Sequence, residues 1–334
     1  MANRRITDMP AADAEVSFGP GFAPRFIVTV DTEEEFDWEQ PLTVDGHTLD
    51  SVGRLADFQA FCEKHGVCPV YLVDYPIATS ALAAEILREP VMTGRAEIGV
   101  QLHPWVNPPH LEQVNPVNSF AGNLPPELEA AKFRLLRDTI EQAFGRAPQI
   151  YRAGRYGVGP ETPALLREGG IAIDTSVRAR FDYSAAGGVN FRDMPVRPWW
   201  IDRPGGLMEL PLTTVYWGLL RRIGHWLYPV LWRAPRLRGI LARIGLLERI
   251  PLTPEGVSQI EVLRGIDIAV REGLPVLVFS FHSPSLQGGH TPYIRTEADV
   301  AEFYRWWETV FADLARRGIR PTSVAGLIAA AALA

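Results

Sequence analysis

Short apolar segments alternate with longer amphipathic segments along most of the chain, and this alternation constrains the fold more than any other feature. The short segments are rich in β-branched residues and bounded by turn residues, as in IVTV at 27–30 and VLVFSF at 276–281. The longer segments carry apolar residues at the three-to-four-residue spacing of a helix. Repeated strand–helix units build a mostly parallel sheet covered by helices. The sequence therefore predicts an α/β fold.

The two periods place the individual elements. Strands are expected at Arg25–Val30, Val67–Val73, Ala96–Val100, Gln149–Arg152, Ile171–Asp174, Leu207–Leu210 and Val276–Phe281. Helices are expected at Val52–His65, Ser80–Met92, Pro126–Phe144, Glu161–Glu168, Pro254–Glu272 and Glu297–Arg317. Barrels of this class are often larger than an average domain. We therefore expect one elaborated domain over 1–334, with its core at about 24–322.

One segment, Tyr216–Ile250, interrupts the alternation with two helix-period stretches in place of a strand. Pro229 and Pro235 should kink or split these stretches. Residues 216–249 carry seven arginines and one glutamate, a net charge of +6, so the rest of a chain of charge −6 carries −6 − 6 = −12. The pattern predicts an amphipathic helical insertion. It either packs on the barrel with a solvated arginine face, or contacts anionic lipid as a peripheral membrane element.

The remaining composition excludes several classes of protein. The acidic balance gives no general attraction for nucleic acid. Cys62 and Cys68 are too few for a disulfide framework and are expected to be buried thiols. The N-terminal residues lack the apolar stretch of a signal peptide, and no run approaches the ~20 apolar residues of a membrane span. These features favour the cytoplasm, with membrane contact only through 216–250.

Polar clusters follow the predicted strands, where the active site of an α/β barrel lies. The clusters are Asp31–Glu35, Gln101–Trp105, Tyr151–Gly157, Asp174–Ser176 and Phe279–Ser285. Each alone has an ordinary structural explanation, such as an acidic first helical turn or a hydrogen-bonded core histidine. In this order, however, the carboxylates, histidines and arginine are the groups that a metal-assisted hydrolase needs.

The same clusters resemble the motifs of a known family, the polysaccharide deacetylases with a NodB homology domain (carbohydrate esterase family 4). TVDTE is similar to the first motif, EIGVQLHPW to the histidine-bearing second, YRAGRYG to the arginine-bearing third, IDTSV to the fourth and FSFH to the fifth. DTEEEFDW, QLHPWVNPP and FHSPSLQGGHTPY resemble WalW-type deacetylases assigned to lipopolysaccharide biosynthesis. The resemblance implies a distorted (β/α)7 barrel-like fold with a helical insertion.

The resemblance also implies roles for individual residues. Asp31 would be the general base, held by Arg152 or its rival Arg155, and His282 the general acid, oriented by Asp174. Glu33 and His103 would bind a divalent metal, zinc foremost, with cobalt, nickel or manganese as alternatives. A backbone N–H near Tyr156 would bind the oxyanion. Apart from the resemblance, Trp38, Trp105, Trp199 and Trp200 lie near these clusters and either form platforms for sugar rings or are large core residues.

The second motif departs from the family pattern, which supplies two histidines four residues apart. Only His103 is present, so the third metal ligand is open. Asn107 is the first candidate, followed by His110, Gln101, Glu34 and Glu35. Zinc prefers imidazole or carboxylate to a neutral amide, so loss of metal binding is a further alternative.

Three functions remain open from the sequence. The first is a metal-dependent hydrolase that removes an N-acyl group, expected to be acetyl, from an amino sugar or glycoconjugate in cell-surface polysaccharide biosynthesis. The second is a non-catalytic member of the same fold that binds glycan or serves as a scaffold. The third is a hydrolase acting on the C–N bond of a small amide.

Overall fold

The predicted strands form a curved sheet with helices on its outer side. The structure is a computed structural model that describes residues 4–37, 40–202, 206–232 and 234–332. Its strands are β1 (Arg25–Thr32), β2 (Val70–Val73), β3 (Glu97–Leu102), β4 (Ile150–Ala153), β5 (Ile173–Asp174), β6 (Trp199–Trp200), β7 (Met208–Glu209), β8 (Thr214–Trp217), β9 (Glu248–Pro251), β10 (Val276–His282) and β11 (Arg320–Pro321). Its helices are α1 (Arg54–Lys64), α2 (Tyr75–Ala78), α3 (Ala81–Met92), α4 (Pro126–Phe144), α5 (Thr162–Glu168), α6 (Gly224–Trp232), α7 (Pro235–Arg243), α8 (Gln259–Arg271), α9 (Glu297–Arg316) and α10 (Val324–Ala332).

The strand order of the main sheet is β10-β1-β2-β3-β4-β5-β7-β6, with β11 paired to the start of β1. Neighbours from β10 to β7 are parallel, and β6 is an antiparallel edge strand. Thr213 and Leu252 bridge the open side, since Thr213 Oγ1 accepts from Val278 N at 2.9 Å and Leu252 O accepts from Ser280 N at 3.2 Å. The predicted α/β, distorted barrel-like fold is confirmed.

The inward-facing residues of the strands form an apolar floor at one end of the barrel and a polar rim at the other. Ile27, Val70 and Ile150 point inward and form one buried cluster, to which α10 adds Val324 and Leu327. Because every second residue of a strand faces the same side, the residues further along these strands also point inward. The interior therefore turns from apolar to polar toward the carboxyl ends of the strands.

Among the element boundaries that differ from the sequence-based prediction, three bear on the polar end of the barrel. β1 and β3 each run two residues further, so Asp31 and Gln101 belong to strands. The end of β1 pairs with both β10 and β2, and the end of β3 pairs with β4. α8 begins at Gln259 and not at Pro254, because Ser258 forms a capping box with Glu261. Residues 254–258 are thereby left as a loop against the end of β10.

The helical insertion has ends that the sequence did not reveal. β8 and β9 pair antiparallel, with Thr214 opposite Pro251, and α6 and α7 lie between them. A small separate core joins the pair through Tyr216, Tyr228 and Leu231. None of the helices in the described ranges is long and apolar enough to cross a bilayer.

The two cysteines are free thiols, as predicted, although only Cys62 is buried and Cys68 is half-buried. Burial raises the pKa of both, that of Cys68 to about 12. Neither is a reactive thiolate near neutral pH.

Gly99 in β3 tests the packing of the barrel interior. A Cβ there would lie 2.5 Å from Leu72 Cδ2 and 2.6 Å from Ile150 Cγ2, both in the closely packed floor. We expect Gly99→Ala to lower the free energy of unfolding by about 1–3 kcal/mol in urea titrations. Gly53→Ala is the control, because a Cβ at Gly53 meets nothing within 4 Å. Equal stability of the two variants would contradict this packing.

Candidate active site

A cavity of about 590 Å³ opens at the carboxyl ends of the strands. It brings together most of the side chains singled out from the sequence: Asp31, Glu33, His103, Trp105, Arg152, Tyr156 and His282. Asn107 and Asp174 do not line it, and Trp38 lies outside the described residues. Gln101 and Glu255 also line the cavity.

Arg152 holds Asp31 from within the barrel. Its guanidinium is almost fully buried and donates to Asp31 Oδ1, to Ser280 Oγ at 3.1 Å and to Thr29 Oγ1 at 2.9 Å. Its Nε donates to the carbonyl oxygen of Thr175 at 3.1 Å. These contacts involve most of the guanidinium and leave Oδ2 of Asp31 toward the cavity. Arg152, and not its rival in the same motif, is thus the arginine paired with Asp31.

His282 faces Asp31 across the β10–β1 pairing, where the two residues are opposite each other. The Nε2 atom of His282 lies 3.6 Å from Asp31 Oδ2. On the other side, Nδ1 donates to Glu255 Oε2 at 2.7 Å, and the backbone N–H of His282 donates to Glu255 Oε1 at 3.0 Å. Glu255 therefore determines the orientation of the ring.

The charge of His282 follows from these neighbours. Burial alone would lower the pKa of His282, but the carboxylates of Glu255, Glu33 and Asp31 outweigh it and raise the pKa to about 10. Burial likewise favours neutral Glu255, yet the charge and hydrogen bonds of His282 lower the pKa of Glu255 overall. The pair is an imidazolium–carboxylate ion pair at neutral pH.

Asp174 was predicted to orient His282, and this assignment is wrong. The Asp174 side chain accepts from Ser176 Oγ at 2.6 Å and hydrogen-bonds to Glu209, its partner in the β5–β7 register. Burial raises the pKa of both carboxyls. A hydrogen bond between two carboxyls requires one of them to carry the proton. Asp174 is therefore paired with Glu209 and not with His282.

Glu33 and His103 place two metal-ligand atoms side by side. Glu33 Oε2 lies 3.5 Å from His103 Nε2, close to the roughly 3.4 Å that separates two tetrahedral ligands with bonds of about 2.0–2.1 Å to zinc. The Gln101 amide nitrogen contacts both atoms, at 3.1 and 3.3 Å, while its buried Oε1 lacks a hydrogen-bond partner among the described atoms. Rotation of this amide would turn its oxygen toward the same point.

A layer of buried groups supports His103 from behind. His103 Nδ1 lies 3.0 Å from Glu34 Oε2, and Trp105 Nε1 donates to Glu34 Oε1 at 2.8 Å. The Trp105 ring stacks on His103 with centroids 4.3 Å apart. A carboxylate that accepts from Nδ1–H leaves the lone pair of Nε2 free for a metal, which is the usual support of a histidine ligand.

Glu34, Asp74 and His103 could themselves hold an ion, since their ligand atoms lie within 4.8 Å of one another. However, Asp74 already accepts from Ile77 N at 2.9 Å and from Glu34 N at 2.8 Å. Burial raises the pKa of Glu34 and Asp74, which hydrogen-bond to each other and so share a proton. We assign this cluster to the support of His103.

The other candidates for a third ligand are less suitable than Gln101. Asn107 donates its amide to the carbonyl oxygens of Pro108 and Lys132, at 2.6 and 3.1 Å, which corrects its predicted position at the metal. His110 is exposed and outside the cavity. Glu35 accepts from the backbone N–H groups of Asp50 and Ser51, at 2.8 and 2.6 Å. Its role is to hold the 48–51 loop.

Two arginines line the outer part of the cavity without a carboxylate partner in the described ranges. Arg155 lies over the Phe120 ring at 4.4 Å. Arg178 lies over Tyr156 at 5.3 Å and donates to Tyr183 Oη at 3.0 Å. This end of the cavity is therefore positively charged and aromatic.

The aromatic residues predicted as sugar platforms have different surroundings. Trp105 is in the cavity wall, but its ring is 2% exposed and packs on His103. Trp199 and Trp200 form the edge strand β6 and do not line the cavity. Tyr156 does line it and follows Arg155 with positive φ angles of 61° and 54°. Such left-handed pairs are uncommon outside functional sites.

Comparisons with known proteins extend only to the fold. No protein-family model and no curated protein sequence matches the chain. A 4-alpha-glucanotransferase from Thermococcus litoralis has a TM-score of 0.51 and 14% identity over 92% of this chain and 40% of that one. The chain thus spans less than half of that enzyme.

Solved structures of polysaccharide deacetylases are also similar to this chain at low identity. A candidate polysaccharide deacetylase from Mycobacterium smegmatis has a TM-score of 0.47 and 15% identity over 95% of this chain and 98% of that one. A CE4-family pseudoenzyme from Bacillus anthracis has a TM-score of 0.42 and 10% identity over 92% of this chain and 66% of that one. Identities of this size assign no activity to this chain.

The contact between Glu255 and His282 predicts that the pKa of His282 depends on Glu255. Glu255→Gln removes the nearest negative charge, so the protonated ring is less favoured and the pKa of His282 should fall from about 10 toward its usual value near 6.5. An NMR titration of the metal-depleted protein measures it. Asp174→Asn is the matched control and should leave the titration of His282 unchanged. An equal fall in both variants would contradict the assignment of Glu255.

Proposed function

We propose that the protein is a metal-dependent hydrolase that removes an N-acyl group, expected to be acetyl, from an amino sugar or glycoconjugate of cell-surface polysaccharide. One observation carries this proposal. Asp31, held by Arg152, and an imidazolium at His282, held by Glu255, lie 3.6 Å apart beside the paired ligand atoms of Glu33 and His103. A base, an acid and a metal position in one cavity are what amide hydrolysis requires.

The residues present fit a divalent cation. Glu33 is buried, and burial raises its pKa to about 8 in the absence of a bound cation, so an ion beside it would favour the carboxylate. The unpartnered Oε1 of Gln101 would provide a third ligand atom. Glu33, His103 and Gln101 would hold the ion, which would polarise the acyl carbonyl and acidify a water. Zinc is the expected metal, with cobalt, nickel and manganese as alternatives.

The chain's own groups would divide the proton transfers between them. Asp31 accepts the proton of the attacking water through Oδ2, while Arg152 keeps Oδ1 in place. His282 donates its Nε2 proton to the departing amine, and Glu255 keeps the ring protonated until then. Arg155 and Tyr156 form a left-handed turn in the cavity wall, and a backbone N–H of this turn would stabilise the oxyanion.

The charge of the cavity favours an acidic glycoconjugate over a neutral sugar. Asp31 and Glu255 are each neutralised by a cationic partner, whereas Arg155 and Arg178 have no carboxylate partner in the part of the chain that the structure describes. A phosphate or carboxylate on the substrate would pair with these guanidinium groups.

The same residues leave a second function open, a glycan-binding protein without catalysis. Its supporting observation is that the Gln101 amide donates to both Glu33 and His103, which satisfies them without an ion. Asp31→Asn separates the two functions. In a binding protein it leaves glycan affinity unchanged and there is no acetate release to lose, whereas in an enzyme it abolishes release.

Metal content and acetate release together test the hydrolase. Purified protein reconstituted with zinc should bind close to one equivalent per chain and release acetate from an N-acetylated glycan. Glu33→Gln should lower both, by about 10²-fold or more for activity. The matched control is Glu35→Gln, which removes a carboxylate from the 48–51 loop in the other acidic cluster of the described chain. Loss of metal in the control alone would contradict the proposed site.

Arg178 provides a test of the substrate's charge. We expect Arg178→Met to raise KM about 10-fold or more for a phosphorylated N-acetylamino sugar, because a charge-assisted hydrogen bond contributes about 1.5–3 kcal/mol. KM for the neutral sugar should change little. Arg192→Met, at an arginine beside Asp193 outside the cavity, is the control. The same rise for both sugars would show that Arg178 only packs the wall.

A further inference from the structure

The helices α6 and α7 expose large apolar side chains that other described residues leave uncovered. Leu219, in the turn before α6, is 81% exposed, Trp226 74% and Val230 67%, and Ile244, directly after α7, is 60% exposed. Ile223, Trp232, Leu237 and Ile240 are exposed as well. Half of the exposed large apolar side chains of the described chain lie between Leu219 and Ile244. Patches of this kind on a folded protein indicate an interaction site.

This exposure is not a by-product of folding the insertion. The inward side of the helix pair already has its own small core, formed by Tyr228, Leu231 and Leu247. Leu219, Ile223, Trp226 and Val230 follow the spacing of one helical face, which continues through the turn before α6. The α6–α7 pair therefore has an inner apolar side that is packed and an outer apolar side that the described residues leave exposed.

The charges around the patch are positive. Arg222, Arg236 and Arg243 are exposed and make no ion pair with the carboxylates of the described residues. The segment 216–249 has a net charge of +6 in a chain whose remaining residues carry −12. A second copy of this chain is disfavoured on this face, because a twofold contact would bring the same arginines together. An anionic partner is complementary to it.

A series of cation–π contacts joins this surface to the wall of the cavity. Arg249 at the insertion lies 3.5 Å from the Phe181 ring centroid and 4.7 Å from that of Tyr228 in α6. Arg178 in the cavity lies 4.1 Å from the same Phe181 ring. The helix pair is thus anchored directly beside the substrate cavity.

We propose that α6 and α7 form a docking surface for an anionic lipid bilayer. The exposed apolar side chains enter the headgroup boundary, the two tryptophans lie at the interface, and the arginines pair with anionic headgroups. A protein docked in this way has its cavity beside the lipid surface, where a lipid-linked substrate is presented. The docking itself does not depend on the proposed hydrolase activity.

Co-sedimentation with vesicles tests the proposal. The full chain should pellet with phosphatidylglycerol–phosphatidylcholine vesicles at low salt, and less at high salt, but not with pure phosphatidylcholine. Trp226→Ser with Val230→Ser, and separately Arg222→Glu with Arg236→Glu, should each weaken binding about tenfold or more. The matched control is Leu82→Ser with Arg88→Glu. It changes an exposed leucine and an exposed arginine of α3, which is outside the insertion. Circular dichroism confirms that each variant is folded.

Three outcomes would overturn the proposal. The first is a wild-type chain that stays in the supernatant with anionic vesicles at low salt. The second is equal binding by the wild type and both α6–α7 variants. The third is a dimer in sedimentation velocity that the Trp226→Ser, Val230→Ser variant dissociates, because a second copy would then cover the surface.

Discussion

The buried guanidinium of Arg152 is the contact on which the geometry of the cavity depends. It donates to Thr29 and Asp31 on β1, to Thr175 after β5 and to Ser280 on β10. Strand ends that are far apart in the sequence are thereby held at fixed distances. Loss of one partner of a buried ion pair costs about 3–5 kcal/mol, since the other charge is left without compensation. The same group that keeps Asp31 oriented therefore also keeps the rim of the barrel in shape.

The other buried carboxyls of the site are compensated in two different ways. Glu255 has a cationic partner in His282, whereas Glu34 and Asp174 each share a proton with a second carboxyl, Asp74 and Glu209 respectively. The Glu33 carboxylate contacts the Gln101 amide and lies beside the His103 ring, and burial raises its pKa to about 8. A cation beside Glu33 would favour the charged carboxylate that burial disfavours, which is the physical reason for placing the ion there.

Cation–π contacts take the place of ion pairs in the part of the molecule between the cavity and the insertion. Arg178 and Arg249 both lie over the Phe181 ring, and Arg238 lies over Trp232 at 4.5 Å. Because these arginines are not neutralised by described carboxylates, the region stays positive. An anionic group on the substrate and anionic lipid headgroups would then both meet arginines of this region.

The strand–helix alternation and the polar residues at the strand ends could be predicted from the sequence, because both follow from local periodicity and chain order. The same reasoning predicted that Asp31, Arg152 and His282 lie at one rim. It missed Glu255, because this residue fell inside a helix predicted to start at Pro254. In the structure the Ser258 capping box starts that helix at Gln259, which leaves Glu255 in a loop. Which buried side chains contact one another follows only from the tertiary structure. The β10–β1 and β5–β7 registers bring Asp31 to His282 and Asp174 to Glu209. Such pairings depend on backbone register and desolvation between distant segments, which local sequence does not encode.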